Sequence, residues 1–323
     1  MVKSILGFFF VLILILACHK KKIEGKYGNN FYPPDSKILV FSHQLSYPEY
    51  LDKMPRPPSG LTIHTSLYNN VNVSLEKGKK IQKLSVFLEQ NQNLLPNLIL
   101  HLDNSYFTPI YTGQLDSLID SLAEAFNKYK KPIYLALGFE VNNPMLQIHP
   151  QRYIKAYRYL VDRFRINGVE NVSYVWPIIA MIPRFEPYVD PLNFHPGDKY
   201  VNWIGLSMHN ITDSHFPVEE DTYFKAPDYE RIIRISKDKN IPIMICESST
   251  RSVKKNYGFS GEILWNDWYK PFFEFTENPN VKAITHIFYD WEDQVILRQW
   301  RTKMNEDRYV HSFDGLDNLL GHN

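Results

Sequence analysis

The sequence is poor in cysteine, with only Cys18 and Cys246 among 323 residues. Its fold therefore cannot rest on a framework of disulfides and must be held by an apolar core. Net charge is also nearly absent. Thirty-six Lys and Arg stand against 35 Asp and Glu, so the charge balance gives no argument for nucleic acid and none for a strongly charged substrate. There is no internal repeat and no low-complexity tail, which leaves a compact domain rather than a solenoid or a disordered chain. Long apolar runs are few, and the longest, Ile5 to Ala17, is too short to span a bilayer.

What is plentiful is aromatic. Phe, Trp and Tyr make up 15% of the chain, with 21 Tyr and 6 Trp. Core packing accounts for most of them, and the remainder offer the flat faces and polar tips that suit sugars. At the N-terminus Lys3 precedes the run from Ile5, which ends in Ile15-Leu16-Ala17-Cys18. This has the form of an export signal and resembles the lipobox of bacterial lipoproteins, in which the cysteine is lipidated. Lys20, Lys21 and Lys22 follow, well suited to lie against anionic headgroups beside an acyl anchor. The expected organisation is a signal peptide over 1–17, a tether over 18–35 and a single barrel domain over 36–323. The protein is expected in the cell envelope, exported and membrane-anchored through Cys18, as a monomer. An ordinary cleaved signal with a chance cysteine is the alternative.

Beyond the tether, apolar runs alternate with helical periodicity. Strands are expected over Lys37–His43, Leu61–Ser66, Leu98–Asp103, Pro132–Asn142, Val172–Ile178, Val201–Met208, Ile241–Ser248 and Val281–Tyr289. Helices are expected over Leu75–Gln90, Leu115–Tyr129, Pro150–Asn167, Tyr229–Lys239 and Leu264–Thr276. In the Leu115 segment, Leu118, Ile119, Leu122 and Phe126 fall on one face and Asp116, Asp120 and Glu124 on the other. Proline-rich stretches around Pro48–Pro58 and Pro183–Pro196 argue against regular helices there. Alternating βα units of this length predict an α/β fold, a (β/α)8 TIM barrel in one domain.

Two of these strands share a grammar. Pro132-Ile-Tyr-Leu-Ala-Leu-Gly-Phe-Glu140 and Ile241-Pro-Ile-Met-Ile-Cys-Glu247 are apolar runs that each stop at a glutamate. Strand ends converge on one face of a barrel, and barrel enzymes keep their chemistry there. Two carboxyl groups on that face suit glycosidic bond cleavage, which needs one protonated and one ionised carboxyl. Glu140 is then the general acid and base, and Glu247 the nucleophile. Each glutamate taken alone has an ordinary reading as a surface charge, and their matched positions carry the assignment.

The Pro132–Asn142 run, continuing through Tyr153-Ile-Lys-Ala-Tyr157-Arg158 to Val172-Ser-Tyr-Val-Trp176, resembles the clan A glycoside hydrolases. So do Pro196-Gly-Asp-Lys-Tyr200-Val-Asn-Trp203-Ile-Gly205, the Glu247 run, and Asn280-Val-Lys-Ala-Ile-Thr-His-Ile-Phe-Tyr289. The nearest resemblance is to family 26, the β-mannanase and lichenase group. It implies a (β/α)8 barrel, retention of configuration, Glu140 as the strand-four acid/base, Glu247 as the strand-seven nucleophile, a β-linked carbohydrate substrate, and no metal or cofactor in the chemistry. His209 resembles the position from which clan members hydrogen-bond the nucleophile, although a core histidine is an equal reading. Two departures stand out. Phe139 lies where clan members commonly place Asn or His, and Ala136 where many related sequences carry Arg, which alters how the sugar 2-hydroxyl is held.

Further substrate-binding candidates are His43, His101 and Asp103 near strand ends, Asn142 and Asn143 just after the acid, Trp176, and Tyr289 with Trp291 after the eighth strand. Trp176 and Trp291 are candidate platforms under a sugar ring, with barrel packing the competing role for Trp176. Asn142 and Asn143 equally fit a turn. A metal-dependent barrel hydrolase is a competing enzyme class, because His43, His64, His101, Asp103 and His209 lie near strand ends, but no His-x-His or His-Glu-x-x-His pair is present. A catalytically inactive barrel that binds glycans or a protein partner is the non-enzymatic alternative.

Overall fold

A computed structural model describes residues 28–67, 72–74, 81–180, 189–209, 227–249, 261–287 and 293–311. Eight parallel strands form its centre: β1 Ile38–His43, β2 Gly60–Ser66, β3 Leu95–His101, β4 Ile133–Leu137, β5 Val172–Ile179, β6 Trp203–His209, β7 Ile243–Ser249 and β8 Val281–His286. Each pairs with the next, and β1 pairs with β8, Leu39 opposite Ala283, so the sheet closes into the expected barrel. The strands read as near-continuous apolar runs because both faces are covered. Inner faces meet each other through Leu39, Phe41, Ile99, Tyr134, Trp203 and Met244. Outer faces meet the helices, as where Asp116–Tyr129 buries Ile119, Leu122 and Phe126 and Pro150–Ile166 buries Tyr153, Tyr157 and Leu160.

One close approach needs a glycine. A Cβ on Gly60 would lie 2.3 Å from the Leu95 carbonyl oxygen and 2.4 Å from the Phe41 ring, so β1, β2 and β3 meet there without space for a side chain.

The fold departs from the sequence expectation in several places. A helix does form over Tyr47–Lys53, because Pro48 occupies its first turn, where a missing N–H costs nothing. Of the expected Leu75–Gln90 helix, the described residues form one over Leu84–Gln90, and Ile81–Lys83 is instead a strand antiparallel to Asn72–Ser74. A helix over Asn104–Tyr111 was not foreseen. It contains Pro109 and starts at Asp103. The Gly261–Leu264 and Lys270–Thr276 helices are joined by a π turn over Trp265–Tyr269.

The span expected to be a tether is, from Gly28 onward, part of the folded body. Phe31 is buried, its carbonyl accepts from the Tyr134 hydroxyl at 2.6 Å, and Tyr32 stands edge-on to Trp203 at 5.8 Å. These residues close the N-terminal end of the barrel with aromatic rings. The signal and the first part of the tether, Cys18 included, lie outside the described residues.

Candidate active site

The site at the opposite end follows from the period of two along each strand. On β1 the inward positions are Leu39, Phe41 and His43, on β2 Thr62 and His64, and on β3 Asn97, Ile99 and His101. β6 turns Trp203, Gly205, Ser207 and His209 inward. Apolar residues therefore fill the barrel, a polar layer of Thr62, Asn97 and Thr285 lies above them, with Thr62 and Thr285 hydroxyls 2.7 Å apart, and histidines crown the strands.

Glu140 and Glu247 reach this crown by different routes. β4 ends at Leu137, and Glu140 follows after Gly138 at φ +102, itself in the left-handed region at φ +42. Such a φ is unfavourable for a residue with a side chain and is tolerated where surrounding contacts fix it. Here the Val141 N–H donates to the Pro177 carbonyl at 3.1 Å and the Asn143 N–H to the Glu140 carbonyl at 2.7 Å. Glu247 depends on a bulge. β7 pairs regularly with β6 up to Ile245 opposite Leu206, then skips so that Ser207 faces Glu247. Cys246 is the extra residue, and it lets Glu247 join Met244 and Cys246 on the inner side, which strict alternation would forbid.

Both carboxylates are buried, Glu140 at 4% and Glu247 at 7% exposure. His209 bridges them. Its Nε2 lies 3.5 Å from Oε1 of Glu140 and 3.5 Å from Oε2 of Glu247, while its Nδ1 meets the Ser249 hydroxyl at 2.8 Å. The second oxygen of Glu247 faces two more imidazoles, His64 Nε2 at 3.2 Å and His43 Nε2 at 3.6 Å. Glu140 has a lighter set of partners, its Oε2 accepting from the Asn143 amide at 2.9 Å.

Electrostatics set Glu247 apart. Burial opposes charge on Glu247, but the N–H groups of His209 and His64 outweigh it and hold the carboxyl well below the usual range. Burial likewise opposes charge on His209, yet the two carboxylates raise it to about 9. His43 goes the other way, lowered to about 4 by burial and then by the neighbouring His64. The Cys246 thiol is pushed up to about 12 by burial, so it is no nucleophile.

Two groups bring candidate metal-binding atoms within 4.8 Å of one another: His43, His64 and Glu247, and Glu140, His209 and Glu247. Neither suits a cation. His43 Nδ1 accepts from the Leu45 N–H at 3.2 Å, so the neutral ring carries its proton on Nε2, the atom that faces Glu247. In the second group a histidine cation already sits between the carboxylates.

The structure gathers His43, His101, Asn143 and His209 around the two glutamates. His101 stands behind His64, with its Nε2 2.7 Å from His64 Nδ1. Three other candidates are engaged in structural contacts. Asp103 caps the Asn104–Tyr111 helix, accepting from the Ser105 N–H at 2.7 Å. Asn142 is buried and exchanges hydrogen bonds with both the N–H and the carbonyl of Ile179. Trp176 is fully buried, edge-on to His195 at 4.8 Å. Tyr289 and Trp291 lie outside the described residues. His64 entered the sequence reading only as a possible metal ligand, yet it is in direct reach of Glu247. Its in-phase spacing with Thr62 on an apolar strand was the signal that could have found it. Phe139 packs against the histidine pair, and Ala136 faces the barrel interior between Ile99 and Val175.

No family model matches the chain. It is 26% identical to a β-1,3-xylanase of a Vibrio species, over 90% of this chain and 69% of that protein. It is 24% identical to a β-1,3-xylanase of an Alcaligenes species, over 84% of this chain and 59% of that protein. Among solved structures, a family 26 β-mannanase from Bacteroides ovatus superposes with a TM-score of 0.63 at 14% identity, covering 85% of this chain and 90% of its own. The paired carboxylates thus sit on a barrel with the fold of the family 26 β-mannanase, in a chain similar in sequence to β-1,3-xylanases.

Proposed function

We propose that this chain is a retaining glycoside hydrolase that cleaves a β-linked polysaccharide of the xylan or mannan type by double displacement. The observation that carries the reading is the closeness of the two buried carboxylates. An oxygen of Glu140 and an oxygen of Glu247 lie within 4.8 Å of each other, with His209 against both. Retaining enzymes hold their carboxyl groups about 5 to 5.5 Å apart, whereas inverting enzymes need about 6.5 to 9.5 Å to fit a water.

In the first step Glu140 gives its proton to the departing sugar oxygen while the Glu247 carboxylate attacks the anomeric carbon. Glu247 suits the nucleophile's part because His209 and His64 favour its ionised form. Glu140 has one imidazole, His209, beside its Oε1 and the neutral Asn143 amide on its Oε2. In the second step Glu140 takes a proton from water, which releases the sugar from Glu247. His209 offsets the negative charge that moves between the two glutamates across the cycle.

The xylanase relatives favour β-1,3-xylan as the first substrate to try, with β-1,4-mannan and mixed-linkage glucan beside it. The full chain is expected to release β-configured ends from one of these, followed by proton NMR. Glu140→Gln and Glu247→Gln should each lower turnover at least about 100-fold. Activity that survived Glu247→Gln, or initial products of the α configuration, would remove the double-displacement reading.

A further inference from the structure

The barrel places a second imidazole behind the one that touches the nucleophile. His64 and His101 lie on the adjacent strands β2 and β3, both on the inward face, with Ser66 opposite His101 and His64 opposite Ile99. His64 Nε2 lies 3.2 Å from Glu247 Oε1, and His64 Nδ1 lies 2.7 Å from His101 Nε2. Phe139 walls the pair, with its ring centre 5.0 Å from His101 and 5.7 Å from His64.

We propose that His101 is a positioning residue for the nucleophile, holding His64 so that it presents an N–H, and not a lone pair, to Glu247. This rests on Glu247 being the nucleophile. The argument is one of proton counting. A neutral imidazole has one N–H and one bare nitrogen, and its ring can carry the proton on either. Two ring nitrogens 2.7 Å apart hold one proton between them, since two lone pairs or two N–H groups would repel. When His101 carries its proton on Nε2, a neutral His64 accepts it and keeps its own on Nε2, facing Glu247. A charged His64 donates to His101 and still has Nε2–H on Glu247. The reverse neutral arrangement, His64 Nδ1–H donating to a bare His101 Nε2, sets a lone pair against the carboxylate and is the repulsive one. Without His101, His64 can place its single proton on Nδ1 and turn a lone pair toward Glu247.

Phe139 takes on meaning in this setting. The position just before the acid is occupied here by an aromatic ring that contacts both histidines, so it restrains the orientation of the pair instead of offering a polar group of its own. The His64 backbone N–H donates to Gln44 Oε1 at 3.0 Å, which fixes the backbone of the pair.

The test compares His101→Leu, which keeps bulk and loses the nitrogen, with His101→Gln, whose amide can donate to His64 Nδ1. The probe is dinitrophenyl β-1,3-xylobioside, whose leaving group needs no acid, so that the rate reports attack by Glu247. A hydrogen bond to a charged group corresponds to roughly a 10- to 100-fold effect. His101→Leu is expected to lose that much kcat with KM little changed, and His101→Gln to recover most of it. Equal losses in the two variants, or none in His101→Leu, would overturn the proposal. Nitrogen-15 spectra of histidine-labelled full chain, with His64 assigned from His64→Gln, test it independently of turnover. A protonated Nε2 in the wild type that shifts toward the Nδ1 tautomer in His101→Leu is the expected result. A bare Nε2 in the wild type would end it. Activity that survived Glu247→Gln would instead count against the nucleophile assignment and leave the tautomer result standing.

Discussion

His209 is the side chain on which the site's charge depends. It carries a proton between two carboxylates, and its pKa is raised to about 9 from an ordinary value near 6.5. A histidine raised on folding stabilises the native state fully below about 6.5, and that stability is lost as pH rises toward 9. Other histidines act in the opposite sense, among them three on the barrel strands. Burial first, and then neighbouring histidine charge, lowers His43 and His101 to about 4 and His286 to about 3. Below 6.5 the unfolded chain binds protons that these three cannot, so stability falls on acidification. The wild type should therefore be most stable near pH 6.5, with Tm dropping on both sides. In His209→Gln the alkaline decline between about 6.5 and 9 should flatten while the acid decline persists. Differential scanning calorimetry across that range decides it, and an unchanged alkaline slope would show that His209 is not the titrating group.

The turn after β4 sets Glu140 in place. Gly138 has φ +102, and a Cβ there would stand 3.0 Å from Val141 Cγ1 and 3.1 Å from Tyr153 Cε2. Alanine would face both the left-handed strain and two packed neighbours, one of which, Val141, is bonded to Glu140. Gly138→Ala is expected to cost about 1 to 3 kcal/mol of stability and to lower kcat more than its effect on Tm would suggest, since the turn carries Glu140. Chemical denaturation paired with kinetics at a temperature where the variant is folded tests this, and wild-type kcat would show that Glu140 tolerates a shifted turn. The bulge at Cys246 serves Glu247 in the same way, at the end of a strand whose regular alternation would point it at the helices.

The whole barrel separates stability from chemistry by its two ends. Aromatic packing closes the N-terminal end, where Phe31 is 6% exposed and joins the interior cluster with Tyr134 and Trp203. Phe31→Ala is expected to destabilise by about 3 to 5 kcal/mol while leaving kcat at a permissive temperature near that of the wild type. A urea titration beside a rate measurement checks both halves. A large fall in kcat in the folded variant would mean that the two ends are coupled.

The sequence by itself determined the eight strands, because parallel strands buried on both faces read as apolar runs whatever surrounds them. It also marked Glu140 and Glu247, each a carboxylate closing such a run. The helices that differed, at Tyr47–Lys53, Leu84–Gln90 and Asn104–Tyr111, are short ones near prolines or loops, where local propensity is weak and packing onto the barrel decides. The direction of each side chain at the strand tips was settled only by the tertiary structure. Trp176 and Asn142 went into packing and Asp103 into a helix cap, while His64 joined His43 and His209 beside Glu247. Which way a strand residue faces depends on its register with strands distant in sequence, and a single extra residue such as Cys246 reverses it. Barrel closure fixes that register, and no local stretch of the chain contains it.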